Sequence, residues 1–125
     1  NQFGQTGQCL RINCPEESAA YDAQPVMVSE YGGTWWNPGQ SRGSKAWGYG
    51  ERPTTTGEFL TRYMSLTESL LSNLRISAFC YTQLYDIEQE VNGLLDYDRQ
   101  PKFDPREIKK VNRQMAEIER PHKRR

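Results

Sequence analysis

Four segments of the chain carry regular spacings of hydrophobic and polar positions. Pro25 to Glu30 is a short, mostly apolar run flanked by breakers, the pattern of a strand buried on both faces. It ends in a carboxylate, followed by Gly32-Gly33 and Trp35-Trp36. Thr55 to Leu74 is the clearest helix: Phe59, Tyr63, Leu66, Leu70 and Leu74 recur at steps of four, three, four and four, one apolar stripe at helical spacing. Thr55 with Glu58 three residues on fits a capping box. Ile76 to Leu84 mixes β-branched, aromatic and small residues and suits a strand. Asp104-Pro105-Arg106-Glu107 opens a last helix with an Asp cap and Pro in the first turn. Its stripe is Ile108, Val111, Met115 and Ile118, and Pro121 stops it. Strand, helix, strand, helix in this order predicts an α/β fold with parallel strands and right-handed crossovers.

The remaining segments have less pattern. Residues 1–24 scatter Gln, Gly, Asn and Ser, and only Cys9-Leu10-Arg11-Ile12-Asn13 alternates enough for a short strand. They read as an irregular connection without a core of its own, which suggests a piece of something longer. Asn37 to Lys45 is rich in turn formers. In Ala46-Trp47-Gly48-Tyr49-Gly50 glycine alternates with aromatics, so the rings pack either on the protein body or on a ligand. His122-Lys123-Arg124-Arg125 forms a basic tail.

Composition narrows the function classes. Sixteen basic side chains against 16 acidic ones leave a formal net charge of zero, which argues against a dedicated nucleic-acid binder. No apolar stretch approaches the ~20 residues that span a membrane. Only 35% of residues are hydrophobic, yet three Trp, seven Tyr and four Phe supply enough buriable surface to fold. Cys9, Cys14 and Cys80 cannot all pair within one chain, and the Cys9–Cys14 spacing fits no common zinc pattern. No metal or cofactor is expected. Free thiols favour a cytoplasmic over a periplasmic origin, with a Cys9–Cys14 disulfide as the alternative.

The candidate chemistry sits at Glu30. Parallel α/β enzymes place catalytic carboxylates at the ends of strands, and Gly32-Gly33 allows a sharp turn beside it. Trp35 and Trp36 would then offer flat faces at the mouth of a pocket. A solvated Glu at an ordinary strand end, with two core tryptophans, has the same pattern. Asp86, Glu88, Glu90 and Asn92 cluster within seven residues. They could line a sugar pocket, bind a cation or form a solvated loop, although no EF-hand spacing is present.

Several stretches, taken together and in order, resemble glycoside hydrolase family 2, which includes β-galactosidases and β-glucuronidases. They are Ser29-Glu30-Tyr31-Gly32-Gly33, Thr34-Trp35-Trp36-Asn37-Pro38, Trp47-Gly48-Tyr49-Gly50, Phe79-Cys80-Tyr81-Thr82-Gln83-Leu84, Asp86-Ile87-Glu88-Gln89-Glu90, Asn92-Gly93-Leu94 and Asp98-Arg99-Gln100-Pro101-Lys102-Phe103-Asp104. The resemblance covers roughly residues 24 to 118, and the first 23 match nothing.

The resemblance implies the last two βα units of a (β/α)8 TIM barrel, with strand 7 at residues 26–30 and strand 8 at 76–83. Residues 25–120 would be the C-terminal portion of the catalytic domain, residues 1–24 a connection and 121–125 a tail. Glu30 would be the nucleophile of a retaining glycosidase acting on β-glycosides. Trp35 or Trp36 would stack on a sugar, Tyr31 would hydrogen-bond the nucleophile, and Gln83, Asp86, Glu88 and Asn92 would lie near the sugar hydroxyls. The family's acid/base Glu follows an Asn, and no Asn-Glu dipeptide occurs here. The chain by itself is therefore expected to be inactive. It is expected to need the upstream remainder of the barrel or self-association as well as a carbohydrate substrate, and to bind no nucleic acid or membrane. A non-catalytic sugar-binding piece using the Trp-Trp loop is the alternative.

Overall fold

The computed structural model describes residue 20, residues 22–38 and residues 45–121. The possible strand at 9–13, the Cys9–Cys14 pairing, most of the irregular 1–24 segment and the tail at 122–125 lie outside the described residues. The elements run β1 (Val26–Gly32), α1 (Thr56–Leu71), β2 (Ile76–Thr82) and α2 (Pro105–Asn112), followed by a 3-10 turn at Glu117–Glu119. β1 and β2 form a two-stranded parallel sheet.

This is a small mixed α/β fold, and it corrects the expectation of two βα units of a TIM barrel. Two strands with only α1 packed across one face do not make the layer of such units. Met27 is 59% exposed, and Ser29 and Glu30 are exposed as well, so β1 is not buried on both faces. The segment 83–104 between β2 and α2 is irregular, held by isolated bridges such as Tyr85 with Leu95 and Leu95 with Pro101. α2 closes at Asn112, and Met115 and Ile118, expected on its stripe, are exposed beyond it.

The register of the sheet has two irregularities that cancel. Val26 faces Ile76 and Met27 faces Ala78, so Ser77 is the extra residue on β2. Val28 then faces Phe79 and Tyr31 faces Tyr81, so β1 carries the extra residue across Ser29-Glu30. Such a bulge re-aims side chains that strict alternation would send to opposite faces. Val28 and Tyr31 accordingly pack in one cluster with Leu70 and Ile76.

α1 starts where Thr55 Oγ1 accepts the Glu58 amide at 3.1 Å. The Glu58 carboxylate reaches one residue further back than a capping box requires, accepting the Thr54 amide at 2.6 Å. Phe59, Tyr63, Thr67 and Leu70 are buried along α1. The helix closes at Leu71, and Leu74, expected on the stripe, is 52% exposed. A second cluster joins Trp36, Phe59, Tyr63, Phe103 and Val111, with Phe59 and Phe103 stacked at 4.1 Å. α2 is tied to α1 by Tyr63 Oη donating to Asn112 Oδ1 at 2.7 Å. Among the described residues no helix is long and apolar enough to cross a membrane.

Candidate active site at the carboxyl end of the strand pair

Glu30 lies in the bulged part of β1, exposed, and among the described residues nothing pairs with its carboxylate. The next residue turns inward. Tyr31 is buried, its hydroxyl shares a hydrogen bond with Thr67 Oγ1 at 2.9 Å, and its ring meets Phe79 and Tyr81 edge-on. Tyr31 is thus a core residue whose hydroxyl serves Thr67, not Glu30. Burial holds its phenol well above the usual tyrosine range, with Tyr63 adding to the shift and the Thr67 bond opposing it.

Gly32 and Gly33 carry the chain out of the strand at φ of 90° and 63°, a region open to glycine but strained for other residues. The space beside them is also taken: a Cβ on Gly32 would sit 2.2 Å from the Tyr81 ring, and one on Gly33 2.2 Å from that of Tyr49. Gly33 then donates to Thr82 O at 2.7 Å, extending the pairing one residue past the end of β1.

The two adjacent tryptophans separate. Trp36 is buried among Phe59 and Phe103, and its amide donates to Val91 O at 2.9 Å. It packs in the core and offers no sugar-stacking face. Trp35 is half-buried, with the Arg52 guanidinium 5.1 Å from its ring centre. Its Nε1 is buried without a hydrogen-bond partner. The two tryptophans therefore do not form one shared face: Trp36 is in the core and Trp35 is half-buried beside Arg52.

The acidic cluster divides in the same way. Asp86 is buried and accepts from the Gly93 amide at 2.9 Å and from Lys102 Nζ at 2.5 Å. Lys102 also donates to Trp36 O at 2.8 Å and Val91 O at 3.3 Å. Burial pulls the Lys102 pKa below its ordinary value, against the stabilising Asp86 carboxylate. Asn92 is fully buried, its Nδ2 donating to Glu90 Oε1 at 2.8 Å while its Oδ1 lacks a partner. The Gln83 backbone carbonyl accepts the Leu94 amide at 3.1 Å, and its side-chain Nε2 is buried without a partner. Glu88 is exposed in a tight turn at φ 49°.

The structure thus brings Trp36, Asp86 and the segment through Asn92 together around Lys102, and leaves Glu30 and Glu88 facing solvent. Lys102 went unseen in the sequence because a lysine between Pro101 and Phe103 in a connector has no periodic signature. Among the described residues a groove lies elsewhere, along the start of α1 between Arg52, Thr54, Glu58 and Arg62, and contains none of the expected site residues. Among the described residues no three His, Cys, Asp or Glu side chains gather as a metal-binding group. No protein-family model matches the chain, and no characterised protein matches it either.

Proposed function

We propose that this chain is the nucleophile-bearing part of a retaining glycoside hydrolase acting on β-glycosides, with Glu30 as the attacking carboxylate. The observation that carries the reading is Glu30 itself, open to solvent two residues before the glycine turn at the end of a parallel strand. A nucleophilic carboxylate must be accessible and held at a defined position, and the strand pairs that flank Glu30, Val28 with Phe79 and Tyr31 with Tyr81, anchor its backbone on both sides. The family resemblance of Ser29-Glu30-Tyr31-Gly32-Gly33 supports the same assignment.

Retaining chemistry needs a second carboxyl group roughly 5–5.5 Å from the first. Glu30 would attack the anomeric carbon and form a glycosyl ester while the second group protonates the departing oxygen. That group would then deprotonate the water that releases the sugar. The second carboxyl is assigned to an upstream part of the parent protein, so the 125-residue chain alone does not turn over substrate. A panel of chromogenic β-glycosides, assayed with this chain and with one extended upstream, tests the reading. Turnover by the extended chain alone, abolished by Glu30→Gln, is expected. Turnover that survives Glu30→Gln would overturn it.

A further inference from the structure

We infer that Trp47 and Tyr49 form a stacking platform for the sugar unit next to the one Glu30 attacks, an inference that rests on the glycosidase reading above. Trp47 is 45% and Tyr49 51% exposed, and the two rings meet edge-to-face at 5.7 Å and 89°. Trp36 is in the core and Trp35 lies under Arg52, so Trp47 is the tryptophan that faces solvent.

The rings sit on fixed backbone. Trp47 donates its amide to Gln89 O at 2.8 Å and accepts from Val91 at 3.0 Å, while Tyr49 donates to Gly33 O at 2.7 Å. The ribbon that carries both rings is thus bonded to the end of β1 on one side and to the 86–91 segment on the other. Two large aromatics held open in this way are the arrangement expected of a ligand surface rather than of a loop packed on itself. Tyr49 is bonded to Gly33, three residues past Glu30, so the backbone of the platform adjoins the end of the strand that carries the nucleophile.

The surroundings select the ligand class. Trp47 pairs with Glu90, whose carboxylate is oriented by Asn92, and Gln89 and Glu88 are exposed alongside. A flat apolar ring bordered by carboxylate and amide acceptors matches a pyranose, which presents C–H groups on one face and hydroxyl donors around its edge. The same carboxylates would repel the phosphates of a nucleic acid or an anionic lipid surface.

The full chain is titrated with the β-linked tetrasaccharides of the cello, galacto, manno and xylo series. Calorimetry reads affinity, and iodide quenching of tryptophan emission reads the location. Saturable binding of at least one series that shields the quenchable tryptophan is expected. Trp47→Ala should weaken that binding on the order of tenfold, Trp47→Phe should restore most of it, and Met64→Ala on the outer face of α1 should leave it unchanged. Binding by none of the four, or equal binding by Trp47→Ala with its circular dichroism intact, would overturn the platform. The Glu30→Gln hydrolysis assay reports on the nucleophile separately, so the two ideas can fail independently.

Discussion

Lys102 Nζ stands 2.5 Å from Asp86 Oδ1, and the two side chains are only 7% and 4% exposed. The same ammonium donates to Trp36 O and Val91 O. One buried charge therefore fastens the tryptophan loop, the acidic segment and the entry to α2. Removing one partner of such a pair strands the other in a dry site. Lys102→Met is expected to cost about 3–5 kcal/mol in urea unfolding. Adding Asp86→Leu should recover much of that loss, because no charge is then left buried. A double variant no more stable than Lys102→Met would show that the pair is not coupled.

Alkaline pH should loosen the fold, with a sign set by the tyrosines. Burial, the largest cause at each, holds the phenols of Tyr31, Tyr63 and Tyr81 above their ordinary value of 10.0. Above about pH 10 the unfolded chain has released these protons and the folded chain has kept them. Their contribution is therefore complete below that pH and is lost as the pH climbs past it. Lys102 acts in the opposite direction: its depressed pKa makes its own contribution rise with pH up to 10.5. Three phenols outweigh one ammonium, so urea midpoints should fall between about pH 9 and 11, less steeply in Tyr31→Phe. Midpoints that hold or rise across that range would contradict the burial of the tyrosines.

The two glycines of the turn should respond differently to alanine. At Gly32 the added methyl meets the Tyr81 ring, which is packed in the core, whereas at Gly33 it meets Tyr49, which is exposed and can swing away. Both positions carry the strain of positive φ, about 1–2 kcal/mol. Thermal unfolding should rank Gly32→Ala clearly below Gly33→Ala, and equal losses would place Tyr49 in a tighter seat than its exposure indicates.

How far the sequence could be read depends on which forces act locally. The apolar stripe of α1 and the Asp104 cap of α2 were legible, since each depends on neighbours a few residues away. The bulge at Ser29-Glu30 was not. It slips the alternation by one residue and turns Tyr31 from a neighbour of the carboxylate into a partner of Thr67. Spacing cannot tell which of two adjacent tryptophans is covered. Here Phe59 and Phe103 cover Trp36, while Arg52 covers Trp35. Met115 and Ile118 continue a helical stripe, yet α2 closes before them, and both are exposed. At Glu30 the sequence located a carboxylate at a strand end, open to a catalytic or a solvated reading, and the nucleophile role came only from resemblance.

The extent of α1 gives a direct check on packing. Phe59 is fully buried, so Phe59→Ala should cost about 3–5 kcal/mol. Leu74 lies past the end of the helix and is half-exposed, so Leu74→Ala should change stability by less than about 0.5 kcal/mol. A large loss at Leu74 would mean that the helix runs on as its stripe predicts.

The most direct test of the central claim is covalent trapping at Glu30. A chain extended upstream is incubated with a glycosyl fluoride carrying fluorine in place of the hydroxyl beside the anomeric carbon. That substitution slows both steps, while the good leaving group lets the glycosyl ester accumulate. Mass spectrometry of the digested protein should then find the sugar on the peptide containing Glu30, and Glu30→Gln should remove the label. A label on another carboxylate, or continued turnover of the unmodified substrate by Glu30→Gln, would contradict the assignment.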